Sequence, residues 1–258
     1  MMLSSRQNPQ VKELIKLQTR KYRRRRGQFV AEGLRLVADG LAAGWQPDQL
    51  VISPPLLSQE AAGQVEQWDY PRLDLVPELM DLVGDTETSQ GVMAVFPTPE
   101  STLSQLQGDL VLVLDGIRDP GNAGTLLRTA AAVGVDGVVA LSGCVDLTAP
   151  KVVRASMGGI FRAPWVLDVM AGELIPWLQA RGFQVVRMEP RAGIPFHQYD
   201  YQGKLALVVG SEAHGISAEL AAACTDILTI PMPGGSESLN AAMAATLVLY
   251  QALIARGL

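Results

Sequence analysis

Leu110-Val111-Leu112-Val113-Leu114 is an unbroken apolar run. A strand with one solvated face alternates apolar and polar side chains, so a continuous run points to burial on both faces, as in a parallel sheet covered by helices. The pattern recurs downstream. Gly137-Val138-Val139-Ala140-Leu141, residues 165–169, 183–188 and 205–209, and Ile227-Leu228-Thr229-Ile230 read as further strands. Helical segments fall between them, over about residues 123–133, 149–161 and 170–180. Such alternation predicts an α/β domain with a mostly parallel sheet, which binds ligands at the carboxyl ends of its strands.

The last strand leads into Pro231-Met232-Pro233-Gly234-Gly235, then Ser236-Glu237-Ser238-Leu239-Asn240, then a run from Ala241 to Ile254 without a charge. This reads as strand, glycine-rich loop, polar helix start and buried helix. Gly234 and Gly235 let the backbone approach a neighbour closely, and a helix start presents free N–H groups and a positive dipole end. The uncharged run raises the question of a membrane span. Its Ser, Asn, Thr, Gln and many Ala fit a helix packed in protein instead, so no membrane association is expected.

The first hundred residues read as a smaller α/β unit. Asn8-Pro9 is a helix start, the helix ends near Thr19, and Lys21-Tyr22-Arg23-Arg24-Arg25-Arg26-Gly27 reads as a basic loop. Strands are expected at 28–30, 50–52, 73–76 and 91–96, with Pro97-Thr98-Pro99-Glu100-Ser101-Thr102 as a linker signal. The division is therefore residues 1–97, a linker at 98–107, and a larger domain at 108–258.

Charge is unevenly distributed. The first 30 residues hold nine cations and one acid, Glu13, although the whole chain carries a net charge of −5. A basic arm on an acidic body points to a polyanionic partner such as a nucleic acid, and the arm's Lys21, Arg23, Arg24, Arg25 and Arg26 are the candidate backbone contacts. Cys144 and Cys224 make neither a disulfide framework nor a metal-ligand cluster, so no metal is expected. The N-terminus lacks an apolar signal region, and the expected location is cytoplasmic.

Three predicted strand ends, at Leu114, Val209 and Ile230, run into polar loops bearing glycine, and in a parallel sheet such loops share one edge. The first has neither G-x-G-x-x-G nor G-x-x-x-x-G-K-[ST], because Gly121 and Gly124 are spaced G-x-x-G. It offers Asn122 near a helix start and Arg128, whose side chain leans back towards that start. The second, Gly210-Ser211-Glu212-Ala213-His214-Gly215, puts a glycine directly after a buried strand with an acid beside it. His197 and His214 come without a G-x-S-x-G elbow or an H-x-x-x-H pair, which argues against serine-hydrolase and zinc chemistry.

Together, Asn122-x-Gly124-x-x-x-Arg128-x-Ala130, then Gly210-Ser211-Glu212, then Ile230-Pro231-Met232 with Ser238-Leu239-Asn240, resemble the three motifs of the SpoU family. That family, in the SPOUT superfamily, comprises S-adenosylmethionine-dependent RNA ribose 2′-O-methyltransferases. The likeness runs from about Leu110 to Leu253. Asn8-Pro9, the Tyr22/Arg region and Ala31-Glu32-Gly33 resemble the family's small RNA-binding domain. The resemblance implies a knotted α/β domain, a fold that pattern reading alone does not reach because connections rarely thread. It further implies S-adenosylmethionine bound at Gly210, Ile230 and Leu239. The catalytic arginine maps onto Arg128, with Asn122, Glu212, Ser238 and Asn240 around a tRNA or rRNA substrate, and the protein is expected to be a homodimer. The third motif departs slightly, with Pro233 to Glu237 between Met232 and Ser238 and with Ala241-Ala242-Met243 where bulkier residues are common.

On the residues alone, two other readings stay open. One is a nucleotide-cofactor oxidoreductase on an ordinary open sheet, with Asp146 holding a ribose. The other is a non-catalytic RNA-binding relative that uses only the basic arm.

Overall fold

The computed structural model describes residues 2–211 and 213–257. The elements of its first hundred residues are α1 (Pro9–Leu17), α2 (Arg20–Arg26), β1 (Gln28–Glu32), α3 (Leu34–Ala42), β2 (Gln49–Ile52), α4 (Gln59–Val65), β3 (Arg72–Asp74), α5 (Pro77–Val83) and β4 (Val92–Pro97). Next come β5 (Leu110–Asp115), α6 (Pro120–Val133), β6 (Gly137–Leu141), α7 (Pro150–Ala155), β7 (Trp165–Val169), α8 (Ala171–Ala180) and β8 (Gln184–Met188). The chain finishes with β9 (Ile194–Pro195), β10 (Leu205–Gly210), α9 (Ala218–Ala223), β11 (Asp226–Thr229) and α10 (Ala241–Ala255). Two compact units result, residues 1–100 with 148–161, and residues 101–147 with 162–258.

The first unit is built on a sheet of order β1-β4-β2-β3, with β1 and β2 antiparallel to β4. Asn8 caps α1 by accepting from Gln10 N at 2.8 Å, and the helix buries Val11, Leu14 and Leu17. The basic run, expected as a loop, is the helix α2, closed by Gly27 in the left-handed region at φ 59°. Arginine is a good helix former, and Arg23 explains why the helix sits where it does. Expected to contact RNA, Arg23 is instead only 4% exposed. Its Nη1 donates to the carbonyls of Leu17 and Gln18, both at 2.9 Å, and its Nε donates to Thr148 at 3.3 Å. A buried guanidinium thus satisfies carbonyls left over at the end of α1 and fastens α2 there.

Residues 148–161 belong to the first unit, although 149–161 is expected as one long helix of the larger domain. The helix stops at Ala155, Met157 takes a left-handed φ of 47°, and a 3-10 turn follows at Gly159–Phe161. Phe161 enters an aromatic cluster with Phe29, Trp45 and Phe96, 4.9 Å from the Phe96 ring and 5.3 Å from that of Trp45. Trp45 donates its indole N–H to the Phe161 carbonyl at 2.9 Å, and Arg154 pairs with Asp85 at 2.9 Å. The expected linker at 98–107 is ordered in its second half, where Leu103 and Leu106 are buried in the core of the second unit.

That second unit holds a seven-stranded sheet of order β7-β6-β5-β10-β8-β11-β9. All six pairings are parallel. On β5, Val111 and Val113 pack with Leu174 and Leu178 of α8, while Leu112 and Leu114 on the opposite face are fully buried too. Both faces are covered, as the unbroken apolar run requires. α10 packs on α6. It buries Ala242, Ala245, Val248, Leu249 and Ala252. No helix among the described residues is long and apolar enough to cross a membrane.

Candidate active site

From β5 the chain lays β6 and β7 to one side, and then places β10, β8, β11 and β9 on the other. The carboxyl ends of β5 and β10 therefore flank a switch point, where the loops that follow diverge and leave a crevice. Gly210 stands in register with Asp115. The Asp115 carboxylate, buried, accepts from Ser217 N at 2.6 Å and so ties the loop after β10 to the end of β5. That loop also closes on itself: Ser211 N donates to Gly215 O at 3.0 Å and Gly215 N to Ser211 O at 2.8 Å. A Cβ added at Gly210 would fall on the Gly215 backbone and 2.6 Å from Ile216 N.

Beside this loop is a cavity of about 220 Å³ lined by Gly210, Ile230, Ser238 and Leu239 together with the ends of β8 and β10. Four residues singled out from sequence therefore share one wall system. Met188, Val208, Ile216 and Met232 add apolar surface. Arg187 and Glu189 add a charged pair at 3.0 Å. Sequence reading missed this pair, although an arginine late in a strand with no other charge was its signal.

Asn122 and Asn240 meet at a second point. Asp119 caps α6 by accepting from Asn122 N at 2.8 Å. Asn240 caps α10 by accepting from Ala242 N and Met243 N at 3.0 and 3.2 Å. The Asn240 amide also donates to Asn122 Oδ1 at 2.8 Å, so two helix N-termini are locked side by side. Nearly two turns further on, Thr129 and Thr246 share a 2.8 Å hydrogen bond. Paired N-termini create a positive potential suited to a phosphate or a developing alkoxide. Arg128 stands on α6 outside the cavity lining, exposed, and with no side-chain partner among the described residues. Gly121 and Thr125, at helical spacing before it, share its exposed face and leave its stem a lane towards the Asn122 end. Glu212 lies outside the described residues.

In the first unit, Lys21, Arg24, Arg25 and Arg26 are exposed. Arg26 lies 3.9 Å from Glu13, which also pairs with Lys16 at 3.3 Å and accepts from the Tyr22 hydroxyl. The Tyr22 hydrogen bond, helped by Lys16 and Arg26, holds the Glu13 carboxyl below its ordinary range. Burial pushes the thiols of Cys144 and Cys224 up, which disfavours their thiolate forms. Asp146, the residue a dinucleotide reading would use, is buried and does not line the cavity.

Residues 109–250 match the SpoU rRNA Methylase family, and residues 8–94 match an MRM3-like substrate binding domain. The chain belongs to the SpoU rRNA methylase family. It is 32% identical to the 23S rRNA (guanosine(2553)-2′-O)-methyltransferase RlmP of Bacillus subtilis, over 96% of this chain and 97% of that protein. An uncharacterized tRNA/rRNA methyltransferase of Synechocystis is also 32% identical, over 97% of this chain and 92% of that one. Among solved structures, the SpoU methyltransferase AviRb from Streptomyces viridochromogenes, in complex with the cofactor AdoMet, superposes with a TM-score of 0.89 at 28% identity. The match covers 97% of this chain and 98% of that one. The SpoU motifs and the parallel α/β architecture with a substrate-binding N-terminal domain are thus those of the family.

Proposed function

We infer that this chain is an S-adenosylmethionine-dependent RNA methyltransferase that modifies a ribose 2′-hydroxyl, with ribosomal RNA as substrate. The carrying observation is the cavity at Gly210, Ile230 and Leu239, next to the paired N-termini at Asn122 and Asn240. Its apolar walls fit an adenine and a thioether chain, and S-adenosylmethionine bound there supplies an electrophilic methyl group on a sulfonium. The residues must then orient the ribose oxygen in line and manage its proton, because a ribose hydroxyl is a weak acid and a poor nucleophile. Arg128 stabilises the developing alkoxide or grips the neighbouring phosphate. It does not act as the base, since guanidinium stays protonated in proteins. Asn122, Asn240 and Ser238 face the substrate, and motif resemblance alone assigns Glu212 to the same group. Thermal-shift measurements test the cofactor: S-adenosylmethionine and S-adenosylhomocysteine should raise the Tm and NAD should not. A shift with NAD alone would return the protein to the oxidoreductase reading.

The remaining elements belong to the same proposal. The segment after β11 threads to bring Ser238 and Leu239 to the cavity wall, forming the knot typical of the family, and the reaction takes place in the cytoplasm. The first unit serves as the RNA-binding domain, with Lys21, Arg24, Arg25 and Arg26 on the phosphate backbone. Replacing Arg24, Arg25 and Arg26 by alanine should weaken RNA binding and leave cofactor binding unchanged. Each lost phosphate contact should make log K against log salt shallower by about 0.7 to 0.9. An unchanged slope would reduce the helix to a solvated face.

The protein acts as a homodimer. On the uncharged α10, Met243, Leu247, Tyr250 and Ile254 recur at helical spacing and are exposed, Ile254 at 63%. A second copy seated on this stripe gives a closed two-fold contact. Leu247→Glu should halve the mass measured by light scattering at micromolar concentration. A wild-type monomer at that concentration would end the dimer reading.

A further inference from the structure

The charged pair in the cavity is not explained by the family motifs. Arg187 and Glu189 are the two charged residues among the described ones lining it, set against apolar walls at Met188, Val208, Ile230 and Leu239. Arg187, next to last in β8, stands in register with Val208, two residues before Gly210. Beyond the strand the backbone stays fixed, because Glu189 N donates to Leu228 O of β11 at 2.8 Å. Residues two apart in an extended chain point to the same side, and Arg187 Nη1 stands 3.0 Å from Glu189 Oε1. The second carboxylate oxygen of Glu189 has no partner among the described residues, and the buried Arg187 Nε has none either.

A partly exposed ion pair contributes little to stability, and leaving the buried Arg187 Nε unsatisfied is costly. The arrangement is therefore better suited to a ligand than to folding. An anchored carboxylate with a free oxygen accepts well from hydroxyl donors. At the carboxyl end of a parallel strand it is suited to the vicinal diol of a nucleoside. Neutralisation by Arg187 makes it less suited to an ammonium group, and the adjoining apolar wall suits the adenine to which a ribose is attached.

We propose that Glu189, held in place by Arg187, accepts hydrogen bonds from the cofactor's ribose hydroxyls and makes the pocket selective for an intact nucleoside diol. This rests on the reading of the cavity as the S-adenosylmethionine pocket. Glu189 is the binding residue and Arg187 the positioning residue.

The test is calorimetric titration of the full chain with S-adenosylhomocysteine and with its 2′,3′-dideoxyribose analogue. Wild type should prefer the intact diol by roughly ten- to a hundred-fold, the range for hydrogen bonds to a charged acceptor. Glu189→Ala should weaken S-adenosylhomocysteine alone and erase the preference, with Glu189→Gln in between. Arg187→Gln should lower the preference, and the double variant should be no worse than Glu189→Ala. An unaltered preference in Glu189→Ala, with an unchanged Tm, overturns the proposal. So does equal weakening towards both ligands, the result expected of a carboxylate that serves the amino-acid tail or the loop. Failure of wild type to bind S-adenosylhomocysteine would instead overturn the cofactor reading beneath it.

Discussion

Arg128→Ala is expected to lower methyl transfer on the order of 100- to 1,000-fold while leaving cofactor affinity near its wild-type value. The size is that of removing one preorganised charge stabiliser from a transition state. Selectivity between the two readouts follows from position: Arg128 stands on α6 and does not line the cavity. Its exposure and lack of a side-chain partner among the described residues sharpen the expectation further. Surface substitutions of that kind change stability by about 0.5 kcal/mol or less, so the Tm should hardly move. Arg128→Lys then separates charge from shape. Lysine keeps the cation and loses the planar fork, so strong rescue indicates simple charge stabilisation and no rescue a two-point grip on RNA. A variant with lower Tm and near-normal transfer per folded molecule would take Arg128 out of the site.

Gly210→Val is expected to weaken S-adenosylmethionine binding on the order of 100-fold, about 3 kcal/mol, in a protein that still folds. The cause is the chain's own loop. A Cβ at this position meets the Gly215 backbone and Ile216 N, so the turn from Ser211 to Gly215 must move, and with it one wall of the cavity. Asp115 holds the far end of that loop through Ser217, which leaves the turn little room to shift as a body. Titration calorimetry on folded Gly210→Val protein decides the matter, and unchanged affinity would mean that the loop after β10 does not shape the cofactor site.

The two residues also show what the sequence could reveal. Gly210 after an apolar strand signals a close approach to its own backbone, but not whether a ligand or a loop five residues on makes it. The sheet was legible because strands buried on both faces leave continuous apolar runs, as at Leu110–Leu114. Arg23 was misread for the opposite reason. In sequence it is one of four consecutive arginines, and only the packing of α2 on the end of α1 turns it inward while its neighbours stay exposed. Residues 148–161 followed the larger domain in sequence, yet Phe161 completes an aromatic cluster whose other members lie more than sixty residues earlier. The contact of Asn122 with Asn240 is likewise long-range. Motif resemblance could bring these two together, whereas local pattern could not.

The central claim, methyl transfer from S-adenosylmethionine to a ribose 2′-hydroxyl of RNA, is tested most directly with a methyl-labelled cofactor. Wild-type protein is incubated with unmodified ribosomal RNA and, separately, with tRNA, and each RNA is digested to nucleosides and resolved. Label is expected in a 2′-O-methylated nucleoside from ribosomal RNA, and it should be nearly absent with Arg128→Ala. Label on a base, or no label in either RNA from protein that binds the cofactor, would contradict it.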